Sequence, residues 1–252
     1  MGYCFIPFIF KSYNVETKRI CIWSGPRNIS TALMYSFAQR NDTTVVDEPL
    51  YAHYLSSTHA HKYHPGAEDV LANQENDGQK VINNVILGEY DTPVVFFKHM
   101  THHLVNLDWS FLKDTVNVIL TRDPKDMLRS IVHQIPNPEM QDVGYATHLE
   151  LLEYLRGIGQ QPMVIDSKEV LMNPRKKLTE ICDFLSLTFD EHMLNWQAGP
   201  RPEDGIWAKY WYHNVHKSTG FQPYKPKEGE FPKELMGLLE ECQECYLRLV
   251  IG

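Results

Sequence analysis

Between Lys18 and Met34 the hydrophobic pattern changes period, and that change limits the folds open to the chain. Ile20 to Trp23 is an apolar run with the length and composition of a buried strand. Ser24-Gly25-Pro26 is a turn cluster, and Arg27-Asn28 follows it. From Ser30 the spacing of Leu33, Phe37 and Arg40 predicts a helix ending near Asn41. Strand, tight polar loop and helix with hydroxyls in its first turn is the layout of an anion site. The first N–H groups of that helix lack intrahelical acceptors, and its dipole points the same way. Arg27 adds a planar guanidinium that matches phosphate or sulfate oxygens. The same residues also suit an ordinary strand-to-helix turn capped by Asn or Ser. A Walker A loop needs Gly-Lys directly before the Ser or Thr. Asn28-Ile29 stand there instead, so triphosphate and Mg²⁺ machinery is not indicated.

Four more segments read as strands. Thr43–Val46 runs into Asp47-Glu48-Pro49-Leu50, which puts two carboxylates at a strand's C-terminal end. Pro93–Phe97 runs into Lys98, followed by His99, His102 and His103, which suggest either metal or acid–base chemistry. Val116–Thr121 leads to Arg122-Asp123-Pro124, a helix start with Asp123 as cap, and Ser130 falls about two turns on. Arg122 and Ser130 can then meet one anion if that helix folds back over the sheet. A helix from about Asp142 to Arg156 precedes the fifth strand, Gln161–Asp166, and a further helix spans Pro174–Leu185. Strands alternating with helices predict one three-layer α/β domain over 18–252 with a mainly parallel sheet, behind an extension at 1–17.

Two stretches lack such periodicity. Residues 51–80 carry His53, His59, His61 and His64 at spacings that match no zinc pattern, and are read as a surface loop or lid. Residues 199–227 are irregular, aromatic and basic, and a long loop of that kind inside a domain is usually functional. A closing helix runs from Pro232 to about Val250, where Cys242 and Cys245 read as packing groups rather than redox or metal ligands.

Composition narrows the function. With 252 residues, 43% of them hydrophobic, the chain can bury a full core. A net charge of −8 argues against a general nucleic-acid or membrane-surface binder, so any phosphate site must be local. Five cysteines without framework spacing do not suggest disulfides. The apolar start, Met1 to Phe10, is short and lacks a basic leader, and Gly2 with Ile6 does not fit myristoylation. No apolar run reaches membrane-spanning length, so the cytosol is the expected compartment.

In this combination the chain resembles a sulfotransferase that uses 3′-phosphoadenosine 5′-phosphosulfate (PAPS), with the P-loop-NTPase-like fold of that superfamily. Pro26-Arg27-x-x-Ser30-Thr31-x-Leu33 is similar to the family's 5′-phosphosulfate loop. Arg122-Asp-Pro with Ser130 resembles its 3′-phosphate motif, and Glu48-Pro49-Leu50 resembles a motif of many carbohydrate sulfotransferases. Val164-Ile-Asp-Ser…Asn173-Pro174 is similar to the family's segment after its last core strand. Lys217-Ser218-Thr219-Gly220 is similar to the loop that closes over the nucleotide. The resemblance covers roughly 18–221, and is nearest to sulfotransferase-like proteins of bacteria, fungi and plants, some fused to aminotransferase-like domains. It implies a donor site of Arg27, Asn28, Ile29, Ser30, Thr31, Arg122, Ser130 and residues 217–220.

Two residues depart from the family pattern. The loop glycine is Ile29 here, so the turn is not expected to use positive φ cheaply. Ala32 stands where the cytosolic branch stacks a Trp on adenine, which leaves Trp211 or Tyr212 as the platform.

The resemblance also implies a mechanism without a metal: in-line sulfuryl transfer to a hydroxyl or amine of a small-molecule acceptor. Arg27 would stabilise the leaving phosphate, Lys98 would sit across the sulfuryl group, and Glu48 would be the base, with His99 second. The rivals are a non-catalytic nucleotide-binding protein on the same fold and a nucleotide-dependent kinase or hydrolase. Extended geometry before Pro49 would send Asp47 and Glu48 to opposite sides, one facing the site and the other bracing a loop.

Overall fold

Five segments of β-branched and apolar residues form one parallel sheet in a computed structural model that describes residues 17–226 and 229–251. The strands are β1 (Lys18–Ser24), β2 (Thr43–Asp47), β3 (Val94–Met100), β4 (Val116–Thr121) and β5 (Met163–Asp166), in the order β2-β3-β1-β4-β5. Every neighbouring pair is parallel, and the register sets Asp47 beside Lys98. Apart from Thr17, the extension at 1–17 with its apolar start lies outside the described residues, as does Lys227.

The helices are, in chain order, α1 (Ser30–Phe37), α2 (Tyr51–Ser57), α3 (Ala67–Asn73), α4 (Gly78–Val81), α5 (Pro124–Ile131), α6 (Met140–Val143), α7 (Tyr145–Gly157), α8 (Ser167–Met172), α9 (Pro174–Phe184), α10 (Ala208–Trp211) and α11 (Met236–Ile251). Strand alternation divides the core between the two faces of the sheet. Ile20, Ile22 and Phe96 pack with Leu33, Met34 and Phe37 of α1 and with Leu178 and Ile181 of α9. Cys21, Trp23 and Phe97 face the other way, against Leu151, Leu152 and Leu155 of α7. Each fully buried aliphatic or aromatic side chain of this kind contributes on the order of 1.5–3 kcal/mol.

Local chemistry explains most boundaries. Asp123 caps α5 by accepting from the N–H of Lys125 at 2.9 Å, and Pro124 takes the first-turn position that needs no donor. Asn173 and Pro174 open α9 in the same way. α1 stops at Phe37, short of Asn41, because its last turn tightens: the Gln39 and Arg40 N–H groups reach back only three residues, to Ser36 and Phe37. The helix expected from Asp142 to Arg156 is two helices, α6 and α7, because Gly144 takes the left-handed conformation between them (φ 74°). β5 begins at Met163 rather than Gln161, and α11 begins at Met236 after a 3₁₀ turn from Lys233 to Leu235.

The segment at 51–80 is not a loop: α2, α3, α4 and a 3₁₀ turn (His59–Lys62) fill it, and Tyr51, Tyr54 and Val70 bury against Trp207. The stretch after Gly199 is also ordered. It contains α10 and a 3₁₀ turn at Val215–Lys217, and His216 Nε2 meets Asp204 Oδ2 at 2.9 Å. Cys242 packs with Met127 and Leu128 as expected, and burial pushes its thiol up to about 12. Among the described residues no helix is long and apolar enough to cross a membrane.

Candidate active site

A cavity of about 550 Å³ opens where the C-terminal ends of the parallel strands meet the loops, the usual ligand crevice of an open α/β sheet. Pro26 to Ala32 form one wall. Both Arg27 (φ 59°) and Ile29 (φ 62°) are left-handed, so the loop does use positive φ despite lacking the family glycine there. Such a conformation costs roughly 1–2 kcal/mol for a residue with a Cβ. Ile29 offers α1 no side-chain cap, which leaves the first-turn donors to the cavity. Asn28 ties the loop down by donating through Nδ2 to the Leu120 carbonyl at 3.2 Å. Gly25 allows the close approach of the segment behind it, since a Cβ there would lie 2.9 Å from the Val143 carbonyl.

Arg122 and Ser130, paired by their motif, both meet Arg27, which the sequence assigned to the other phosphate. Arg27 donates from Nε to Ser130 Oγ at 3.1 Å and from Nη1 to the Trp211 carbonyl at 3.4 Å. Arg122 Nη1 donates to the Arg27 carbonyl at 2.7 Å. Burial and then the like charge of Arg122 lower the Arg27 guanidinium from its ordinary pKa. Two guanidinium groups thus lie together beside the N-terminus of α1, an arrangement chemically suited to an anion.

Deeper in the cavity, Lys98 is almost wholly buried and donates to Asp47 Oδ1 (2.9 Å), to Glu48 Oε1 and to Tyr212 Oη (2.6 Å). Burial alone would lower the ammonium's pKa, but the two carboxylates outweigh it and hold the pKa above its ordinary value. Asp47 also accepts from Tyr212 Oη at 2.7 Å and from the Gly205 N–H at 3.1 Å, so it braces the late loop. The expected splaying of Asp47 and Glu48 does not occur. Glu48 leaves the strand with φ 40°, its N–H donates to the Lys98 carbonyl at 2.8 Å, and both carboxylates converge on one ammonium. A buried ion pair at short range outweighs the preference for an extended residue before proline. Burial, countered by Lys98, pushes Glu48 up to about 6. Burial and then Asp47 raise the Tyr212 phenol well above its usual range, which keeps it protonated.

His99 is not in this group. One residue beyond Lys98, it faces the opposite side of the sheet, stacked on Trp23 with ring centroids 4.1 Å apart. Burial there lowers it to about 3, which makes it a poor base as well as a remote one. Of the late loop, Ser218 and Gly220 line the cavity, while Lys217 and Thr219 are exposed and do not. The Ser218 hydroxyl is used internally, accepting from Trp196 Nε1 at 3.1 Å. The loop's contribution lies further on, at Phe221, Tyr224 and Lys225. Trp211 is on the cavity wall, but Tyr212 is committed to the Lys98 network rather than to stacking. Sequence reasoning missed His64, Trp207 and Asp142, which also line the cavity. Among the described residues no group of His, Cys, Asp or Glu is arranged to hold a metal ion.

Residues 18–239 match a family model described as a sulfotransferase domain. Two curated relatives from Arabidopsis thaliana match most of the chain. Branched-chain-amino-acid aminotransferase-like protein 2 is 38% identical over 225 residues, covering 89% of this chain and 40% of the relative. Branched-chain-amino-acid aminotransferase-like protein 1 is 39% identical over 232 residues, covering 92% and 41%. The chain thus spans about two fifths of the length of these relatives. Among solved structures, the sulfotransferase domain from the curacin biosynthetic pathway superposes with a TM-score of 0.56 at 16% identity, covering 93% of this chain and 98% of that one. The sulfotransferase from Alicyclobacillus acidocaldarius gives 0.55 at 15% identity, covering 93% and 96%. At such identities the likeness is one of fold.

Proposed function

The chain belongs to the sulfotransferase domain family, and from that membership we propose that it moves a sulfuryl group from PAPS to a hydroxyl or amine of a small-molecule acceptor. One observation carries the reading: the Arg27–Arg122–Ser130 cradle and the Lys98–Glu48 pair line a single cavity. The residues suit such a donor. Arg122 and Ser130 supply a guanidinium and a hydroxyl for one phosphate, Arg27, Ser30, Thr31 and the first-turn N–H groups of α1 supply donors for another, and Arg27 links the two sets. Trp211, with an unbonded indole N–H, offers a ring face at the cavity wall.

When bound, PAPS supplies a sulfur that bonds to the acceptor oxygen or nitrogen as its bond to the bridging phosphate oxygen breaks, with the electron pair leaving on the nucleotide. The protein's part is positioning and charge stabilisation. Arg27 is placed to hold negative charge at the mouth of α1. Lys98, fixed from three sides, is a cation with little freedom to reorient. Glu48 is ionised above about pH 6 and lines the same space, so it can take the acceptor's proton at a carboxylate oxygen. Asp47 holds Lys98 and Tyr212 in place and braces the late loop through the Gly205 N–H.

The test is calorimetry with 3′-phosphoadenosine 5′-phosphate against ATP–Mg²⁺, followed by transfer of labelled sulfate from PAPS to an acceptor panel. Preference for the bisphosphate and labelled product are expected; preference for ATP–Mg²⁺ would overturn the reading. One observation favours a second reading, nucleotide binding without turnover: Glu48 and Asp47 already saturate Lys98. Tight bisphosphate binding with no transfer to any acceptor would select it.

A further inference from the structure

The cavity wall near Asp142 carries groups that the transfer chemistry does not require. Asp142, in the first turn of α6 and part of its capping box with Glu139, is 3% exposed and lines the cavity. Its carboxylate accepts from Tyr63 Oη at 2.7 Å and from the Glu139 N–H at 2.8 Å, yet it has no ion-pair partner among the described residues. Those two bonds complete the helix cap and leave further lone pairs of the carboxylate, on the cavity wall, for a cation.

Tyr63, bonded to Asp142, leads into a group of rings, its centroid 5.2 Å from that of His64. Tyr51 Oη meets His64 Nδ1 at 3.0 Å, Tyr51 stacks on His103 at 5.0 Å, and His64 lies 6.0 Å from Trp211, centroid to centroid. Burial lowers His64 to about 4 and His103 well below its ordinary value, so neither adds positive charge at neutral pH. His103 Nδ1 and His64 Nε2 are buried and unbonded on the cavity wall, which marks this end as built for a polar occupant. The other carboxylate of the cavity wall, Glu48, is already paired with Lys98, so Asp142 is the one left to meet a cation.

We propose that the acceptor is a small hydroxyl-bearing ammonium compound whose cationic group rests against Asp142 and the faces of Tyr51, His64 and Trp211 while its hydroxyl reaches Glu48. The proposal rests on the sulfotransferase reading and adds the acceptor's class to it. Aromatic faces attract ammonium groups through their quadrupoles, and a desolvated carboxylate supplies the full counter-charge. The same wall accepts a neutral phenol without needing Asp142, so charge is what separates the two.

Calorimetry at saturating 3′-phosphoadenosine 5′-phosphate decides, using choline against its neutral tert-butyl isostere and tyramine against para-ethylphenol. The cation of at least one pair is expected to bind about tenfold tighter or more, and Asp142→Asn is expected to abolish that preference. Trp211→Leu should reduce it too, and serves if Asp142→Asn does not fold. Equal affinities within both pairs, no binding of any probe, or a preference that survives Asp142→Asn overturns the proposal. The nucleotide titration is separate: if the bisphosphate does not bind, it is the sulfotransferase reading that fails.

Discussion

Arg122 donates a guanidinium hydrogen bond to the main-chain oxygen of Arg27 at 2.7 Å, so the end of β4 holds the left-handed turn that precedes α1. On the proposed reading, the charge that meets one phosphate thereby shapes the loop that meets the other. Arg122→Ala removes a charge-assisted contact worth on the order of 1.5–3 kcal/mol. Affinity for 3′-phosphoadenosine 5′-phosphate should fall tenfold or more by calorimetry, while adenosine 5′-phosphate loses much less, because Asn28 still anchors the loop to Leu120. Equal losses for both nucleotides would remove Arg122 from the 3′-phosphate site.

Glu48→Gln keeps the side chain's shape and removes its ability to take a proton. Single-turnover transfer should slow by about 10²–10⁴-fold with nucleotide affinity nearly unchanged. A variant that transfers at the parent rate would mean that the base lies elsewhere.

The pH dependence follows from the same carboxyl. Burial raises Glu48 from its ordinary 4.5 to about 6. Transfer should therefore decline as pH falls through about 6. Stability runs the other way: the folded protein retains a proton that the unfolded chain releases, so this contribution is full below pH 4.5 and lost as pH rises through about 6. Its size is on the order of 2 kcal/mol. Chemical denaturation of parent and Glu48→Gln at pH 4.5 and 7 should show the difference, and parallel curves would refute the shift.

His99 offers a prediction about stability rather than rate. Both ring nitrogens are buried and unbonded while the ring stacks on Trp23 and Phe97. Replacing an unsatisfied polar ring by an apolar one of similar shape is neutral or stabilising. His99→Phe should keep the parent's thermal midpoint or raise it by about 2–4 °C, leaving transfer intact. A lower midpoint would show that the nitrogens have partners.

Much of the layout was legible because it rests on short-range rules. Ile20 to Trp23 had the length and composition of the buried strand it forms, and the Arg-Asp-Pro start placed Ser130 in the helix that follows β4. The period-two rule also separates His99 from Lys98, although the family resemblance kept His99 in view as the second candidate base. What stayed hidden depends on which strands are neighbours. Asp47 and Lys98 were both recognisable as strand-end charges, but only the β2–β3 pairing makes them partners. Glu48 was misjudged because the preference for extended backbone before Pro49 is local, whereas the ion pair that overrides it spans fifty residues of sequence. Asp142 and His64 reach the cavity through helices whose packing no periodicity reveals.

The break at Gly144 gives the site a common datum. The Val143 carbonyl lies where a Cβ at Gly25 would be 2.9 Å away, and a Cβ at Gly144 itself would come within 3.3 Å of His102 Nδ1. One peptide unit therefore bears on the loop at 25–27 and on the His102 wall of the cavity, the proposed donor and acceptor sides. The two halves of the cavity are referenced to the same short piece of main chain, like two jaws set from one pin. Their separation is fixed by backbone geometry rather than by the long, adjustable side chains between them. A reaction that demands attacking and leaving atoms in line depends most on that alignment.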